Sequence, residues 1–270
     1  MHLKRWLTAL VLIPILILII LKGKRVGLVL AILVINGLAH WEFLGFFLQG
    51  VDPTRKFKVI ILSSALVLSF CTVASHQGPA IPFVVLVGCV FALFLFYLMS
   101  YDHIQELAWD LAVNTLGLVY VPLLLGHFIW LRYLPQGEWW ILWLLAVVCS
   151  GDTAAYYVGK TWGKKKFYPQ VSPGKTWAGT FGGQVANVVV GVLVGRWLLP
   201  EEAILSLVLL SVFLGCIAFL GDLFESMLKR QARVKDSSSL LPGHGGMLDR
   251  LDSLLFTAPA LVYARQFILF

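Results

Sequence analysis

No Asp, Glu, Lys or Arg occurs between Lys58 and Asp102, and further apolar stretches recur towards the C-terminus. That pattern excludes most folds at once. A water-soluble domain carries about 25% charged residues, whereas this chain has 13%, with 59% hydrophobic residues and a mean hydropathy of +0.86. One core of a 270-residue chain cannot hide so much apolar surface from water, so the solvent for most of it is a bilayer. Within hydrocarbon only helices and closed barrels satisfy their own backbone groups. The runs lack the alternation of barrel strands. The expected fold is therefore all-α, a polytopic integral membrane protein.

A helix crosses the hydrocarbon in about 20 residues, and that length rule divides the chain into about nine helices. They are expected near 6–21, 25–48, 58–75, 80–99, 109–132, 139–158, 177–198, 203–228 and 250–268. Lys4 and Arg5 ahead of Trp6–Leu21 imitate a secretory signal, but Lys22 stands where a small-residue cleavage site would be. The stretch reads as a retained first span. With the N-terminus in the cytoplasm, most of the 21 Lys and Arg residues fall on the cytoplasmic side, concentrated near 159–176 and 229–249. That bias orients the protein in the cytoplasmic membrane with these loops facing the cytosol. Lys22, Lys24 and Arg25 run against it.

The formal charge of +7 fits loop excess and anionic substrates, not nucleic acid. Cys71, Cys89, Cys149 and Cys216 show no C-x-x-C spacing and read as small buried hydrophobes. No repeat or linker divides residues 1–270, which form one membrane domain. Helices in 1–135 are expected to serve packing, lipid access or oligomer contacts, and 136–270 to hold the catalytic helices and loops.

The chemistry is concentrated after Phe219-Leu220, where the apolar run meets Gly221-Asp222-Leu223-Phe224-Glu225-Ser226. A carboxylate at the end of a span must be paired, hydrated or bound to a cation. Helical spacing puts Asp222, Glu225, Ser226 and Lys229 on neighbouring turns, so an ion pair of Asp222 with Lys229 would also explain it. The chain continues through Lys229-Arg230 and Lys235-Asp236 to Pro242-Gly243-His244-Gly245-Gly246 and Asp249-Arg250-Leu251-Asp252. Glycines admit close backbone approach, and successive N–H groups can form an anion nest. Lys and Arg supply fixed charge for phosphate.

Ser226 to Asp252 resembles the complete signature of the phosphatidate cytidylyltransferase (CDP-diacylglycerol synthase) family: S-x-x-K-R, K-D, P-G-H-G-G and D-R-x-D. Upstream, Asp152-Thr153-Ala154-Ala155-Tyr156 with Gly159-Lys160 and Ser172-Pro173-Gly174-Lys175-Thr176 are similar to further family segments. The last of these departs from the family pattern at Ala178, where a glutamate is usual. The resemblance implies transfer of CMP from CTP to phosphatidic acid, giving CDP-diacylglycerol and pyrophosphate, within a bilayer and with a homodimer as an expected assembly. It implies Mg²⁺, with one or two ions, on Asp222, Asp249 and Asp152. Catalysis would involve Asp222, Asp249, Lys229, Arg230, Lys235, Asp236 and Arg250. Substrate would meet Lys160, Ser172, Lys175, Thr176, Ser226, Gly243, His244, Gly245 and Gly246.

A CTP-dependent lipid kinase and a transporter of phosphorylated anions are the alternative functions. His40 and Glu42, inside the second expected span, are either functional or paired with each other or a neighbouring helix. Asp102, His103, Glu106 and Asp110 read as a solvated acidic loop. Trp139, Trp140 and Trp143 read as interfacial anchors.

Overall fold

The computed structural model describes residues 14–48, 52–73, 78–101, 106–238, 240 and 245–267. The described chain is helical apart from one short hairpin, and it divides into two compact units. The first comprises Met1–Tyr133 with Asp236–Asp249; the second comprises Leu134–Lys235 with Arg250–Phe270. The boundary between them falls between Tyr133 and Leu134. The segment Asp236–Asp249, however, belongs with the N-terminal helices.

The N-terminal unit contains α1 (Lys24–Phe47), α2 (Pro53–Ser69), α3 (Ile81–Met99), α4 (Leu107–Leu118) and α5 (Leu124–Tyr133). A π-helical turn at Val119–Leu123 joins α4 to α5 around Pro122, whose missing N–H a regular helix could not accommodate without a break. Helix α2 starts five residues before the expected 58. Asp52 Oδ1 accepts from Thr54 N at 3.0 Å and Pro53 occupies the first turn, so the cap draws Arg55, Lys56 and Lys58 into the helix. That capping bond holds the Asp52 carboxyl below its ordinary value.

Polar side chains join these helices where apolar ones gain nothing over lipid. Asn36 Nδ2 donates to Ser63 Oγ at 2.9 Å between α1 and α2, and Asn114 Nδ2 donates to Tyr97 Oη at 2.8 Å between α4 and α3. Asp110 is buried at the start of α4, which corrects its reading as solvated surface; Asp102 and His103 lie outside the described residues.

The C-terminal unit contains α6 (Gly137–Trp162), the antiparallel strands β1 (Lys166–Tyr168) and β2 (Ser172–Thr176), α7 (Trp177–Leu198), α8 (Ile204–Gln231) and α9 (Asp252–Phe267). Glycine stripes bring α6 and α7 together: a Cβ at Gly179 would lie 2.6 Å from Ala155 O, and one at Gly183 2.9 Å from Gly151 O. Trp143 Nε1 donates to Gly191 O at 2.7 Å across the same seam. Trp140 and Trp143 are wholly buried, so they are packing residues and not interfacial anchors. The Trp143 indole fills room that the α7 glycines leave, and Trp140 packs against Trp143 and Arg265.

The opposite face of α7 presents Val185, Val189, Leu193 and Trp197, all at least half exposed. An apolar exterior over a small-residue interior is the arrangement a lipid solvent requires. Cys149 and Cys216 are exposed, correcting their expected burial; Cys89 is buried. Six described helical stretches are long and apolar enough to cross a membrane: Lys24–Phe47, Gly78–Met99, Leu107–Tyr133, Gly137–Trp162, Trp177–Leu198 and Ile204–Gln231. The protein is a multi-pass membrane protein. The expected count of nine is not reached because α2 and α9, with 17 and 16 residues, fall short of that length, and half of 6–21 lies outside the described residues.

Candidate active site

In the C-terminal unit the site is assembled on the hairpin. Phe167 of β1 packs edge-on to Phe219 of α8 at 4.7 Å between centroids, and against Trp177 at 4.5 Å. Arg230 Nε donates to Val171 O at 3.2 Å and ties the turn to the end of α8. Thr176, almost wholly buried, ends β2 and caps α7, its Oγ1 accepting from Gly179 N at 3.1 Å. This cap explains the residue order Lys175-Thr176: the threonine turns inward to start a helix, and the preceding lysine reaches α8. The polar, lysine-rich strands carry no apolar alternation, so the sequence shows only a loop here.

Lys175 Nζ lies 2.8 Å from Asp222 Oδ2 and 4.5 Å from the centre of the Phe219 ring. Asp222 thus pairs with Lys175 and not with Lys229. Ser226 Oγ donates to Asp222 Oδ1 at 3.3 Å, one turn on. Lys229 instead meets Glu225, 3.0 Å away and fully buried. Gly221 is where α9 approaches: a Cβ there would stand 2.6 Å from Asp252 O.

The charges of Asp152, Asp222 and Asp252 act on one another, and those of Lys175, Lys229 and Arg250 act on this carboxylate group. Its place at a helix start marks Asp252 in the sequence mainly as a cap, and Ser253 N does donate to its Oδ1 at 2.7 Å. The unit therefore gathers three acids and three bases contributed by α6, β2, α8, the 3-10 turn that ends at Arg250 and the start of α9. Lys160, Lys164 and Lys165 are exposed, and Ser172 is half-buried in β2. Lys235, also in this unit, is exposed.

In the N-terminal unit the signature segment is shaped by two carboxylates. Asp249 Oδ2 accepts from Ser237 N and Gly246 N, each at 2.8 Å, and shares the single proton of the Ser237 hydroxyl, 2.9 Å away, with Glu42 Oε2. Glu42, buried in α1, accepts with Oε2 from Ser237 Oγ at 2.9 Å and Leu248 N at 2.8 Å. Its Oε1 accepts from Met247 N at 3.0 Å and from Ser238 Oγ.

These bonds explain two of the glycines. Gly245 has φ +79, and a Cβ there would also stand 2.6 Å from Asp249 Oδ2. At Gly246 a Cβ would collide with Ser237 Oγ and lie 2.5 Å from Glu42 Oε2. Asp236 is exposed; Gly243 and His244 lie outside the described residues. Sequence spacing cannot find the role of Glu42, because its partners follow about 200 residues later; its only signal is a charge inside a span. His40 does not pair with it: among the described residues neither ring nitrogen has a hydrogen-bond partner, and the ring lies beside Gly117 and Phe43.

The family model described as "Cytidylyltransferase family" matches residues 3–268. The chain belongs to that family. Among its relatives, a Synechocystis protein named phosphatidate cytidylyltransferase is 35% identical over 275 residues, covering 91% of this chain and 90% of its own. A Bacillus subtilis protein of the same name is 43% identical over 153 residues, and an uncharacterized Escherichia coli protein, YnbB, is 42% identical over 152. This chain spans about half the length of those two, 56% and 51% respectively. The N-terminal helices are thus part of the family match, and they hold one of the signature loops.

Proposed function

We propose that the protein is a CTP:phosphatidate cytidylyltransferase, making CDP-diacylglycerol for phospholipid synthesis. The single observation that carries this reading is the Lys175–Asp222 pair set among Asp152, Asp252, Lys229 and Arg250. The name of the Synechocystis relative, aligned along nearly its whole length, supports the choice of substrates.

The reaction suits such a site. A phosphate oxygen of phosphatidate attacks the α-phosphorus of CTP. The bond from that phosphorus to the β-bridging oxygen breaks, and pyrophosphate leaves with the bonding pair. The nucleophile is already an anion, so neutralising charge and aligning two polyanions are the main demands, and no covalent enzyme intermediate is needed. Lys175 and Lys229 neutralise phosphate oxygens, Arg250 supplies a planar fork, and Ser226 orients Asp222.

The donor chemistry fits Mg²⁺. Among the described residues no three carboxylate, imidazole or thiol side chains close round a point as a resident metal cage. Mg²⁺ needs less: one or two carboxylates, waters and substrate phosphates hold it. Because Asp249 Oδ2 serves the loop, the ion we propose rests on Asp152 and Asp222. When bound it would neutralise charge developing on the phosphates. The Lys175 ammonium balances the Asp222 carboxylate beside it. The basic loops face the cytosol in this reading, where CTP is supplied.

Detergent-solubilised protein incubated with α-labelled CTP and phosphatidate should form labelled lipid and pyrophosphate in equal amounts. Release of labelled CDP, with lipid labelled only when γ-labelled CTP is used instead, would make it a kinase. Vesicle uptake without chemistry would make it a transporter.

A further inference from the structure

We propose that Glu42 is a positioning residue for the reaction, the grip by which α1 sets the shape of the signature loop. The inference rests on the function proposed above. Both carboxylate oxygens are engaged: Oε1 by Ser238 Oγ and Met247 N, and Oε2 by Ser237 Oγ and Leu248 N. The donors come from both limbs of the segment, 237–238 entering and 247–248 leaving. One side chain therefore clamps the two ends of the loop to each other and to a membrane helix. Asp249 makes a second bridge between the same limbs through Ser237 and Gly246.

Three observations separate this from a buried polar group that merely found partners. Glu42 is only 6% exposed, and backbone N–H groups bind both of its oxygens, so its charge is offset by aligned dipoles. Gly246 lacks the Cβ that would stand 2.5 Å from Glu42 Oε2, so the loop is built to admit this carboxylate. The clamped Met247 and Leu248 lead directly through the turn Leu248–Arg250 into Arg250, the base assigned above to phosphate. Glu42 itself touches no substrate in this scheme; it acts through the loop.

Replacing Glu42 by Gln keeps the size but turns an amide donor towards donors already in place, so at least one of Met247 N and Leu248 N loses its acceptor. Glu42→Asp keeps the charge but is one methylene shorter. Amide exchange and steady-state kinetics on the full-length protein in detergent test the proposal.

In Glu42→Gln, amides at 245–248 should exchange faster by on the order of tenfold or more, with those of α8 unchanged. The kcat for transfer from CTP should fall by on the order of tenfold or more, and Glu42→Asp should recover part of both. Unchanged exchange at 245–248 in Glu42→Ala would overturn the proposal. So would a uniform loss of protection across α1 to α5, with activity tracking only the amount of folded protein. If the wild-type protein makes no CDP-diacylglycerol, the functional reading fails, while the exchange data still decide whether Glu42 shapes the loop.

Discussion

Replacing Lys175 by Met removes a charge and little volume, and so isolates the part of the site that carries the functional reading. At 2.8 Å the Lys175–Asp222 attraction is about 6 kcal/mol before desolvation, at an effective dielectric constant of about 20. The two side chains are 16% and 32% exposed, so water screens the pair and each charge has lost only part of its hydration. A net stability of about 1–2 kcal/mol is reasonable after both corrections. For a chain of this size that lowers the unfolding midpoint by roughly 2–6 °C in Lys175→Met.

Catalysis should suffer more. A cation aimed at developing phosphate charge is worth about 10²–10³ in rate. The assay is a double-mutant cycle with Lys175→Met, Asp222→Asn and the double variant, followed by thermal unfolding and by kcat/KM for CTP. The double variant leaves no unpaired charge, so its stability should return towards the wild type while its activity stays low. Recovery of activity along with stability would make the pair structural. So would a single Lys175→Met variant within about threefold of wild-type kcat/KM, a difference under about 0.7 kcal/mol.

Gly246→Ala should lower activity by on the order of tenfold or more, through overpacking of about 1–3 kcal/mol against Ser237 and Glu42, with the secondary structure by circular dichroism unchanged. Gly221→Ala should separate α8 from the start of α9, where Asp252 O stands 2.6 Å from the added carbon; lost transfer with retained helix content would be its signature. Trp143→Phe removes the donor to Gly191 O and should cost about 1 kcal/mol of stability, read as a lower unfolding midpoint, with kcat/KM near wild type. Asp152→Asn should raise the Mg²⁺ concentration needed for half-maximal transfer, and an unchanged Mg²⁺ titration would remove Asp152 from the metal proposal.

Much of this protein is legible in its amino-acid order. Apolar run length locates most helices to within a few residues, since a bilayer imposes one dimension on every crossing. The expected 177–198 matches α7 at both ends, because Thr176 caps its start and Pro200 follows its end. Helix α2 is misplaced by the same rule, because hydropathy ignores the Asp52–Pro53 cap that starts it among charged residues. Trp140 and Trp143 mislead because aromatic clusters mark interfaces and cores alike, and only the glycine stripe across from them decides which.

The signature from Ser226 to Asp252 names the chemistry from residue order alone, since reactive groups on one helix and its following loop keep their spacing wherever they pack. Sequence cannot choose a partner for Asp222. Helical spacing offers Lys229, and a hairpin without apolar alternation brings Lys175 instead. Nor can it divide the signature: Ser226 and Lys229 stand in the C-terminal unit, while Asp236–Asp249 belongs to the N-terminal one and is held there by Glu42. Those assignments depend on contacts between residues far apart in the chain, and only packing in three dimensions selects among the charges that could meet.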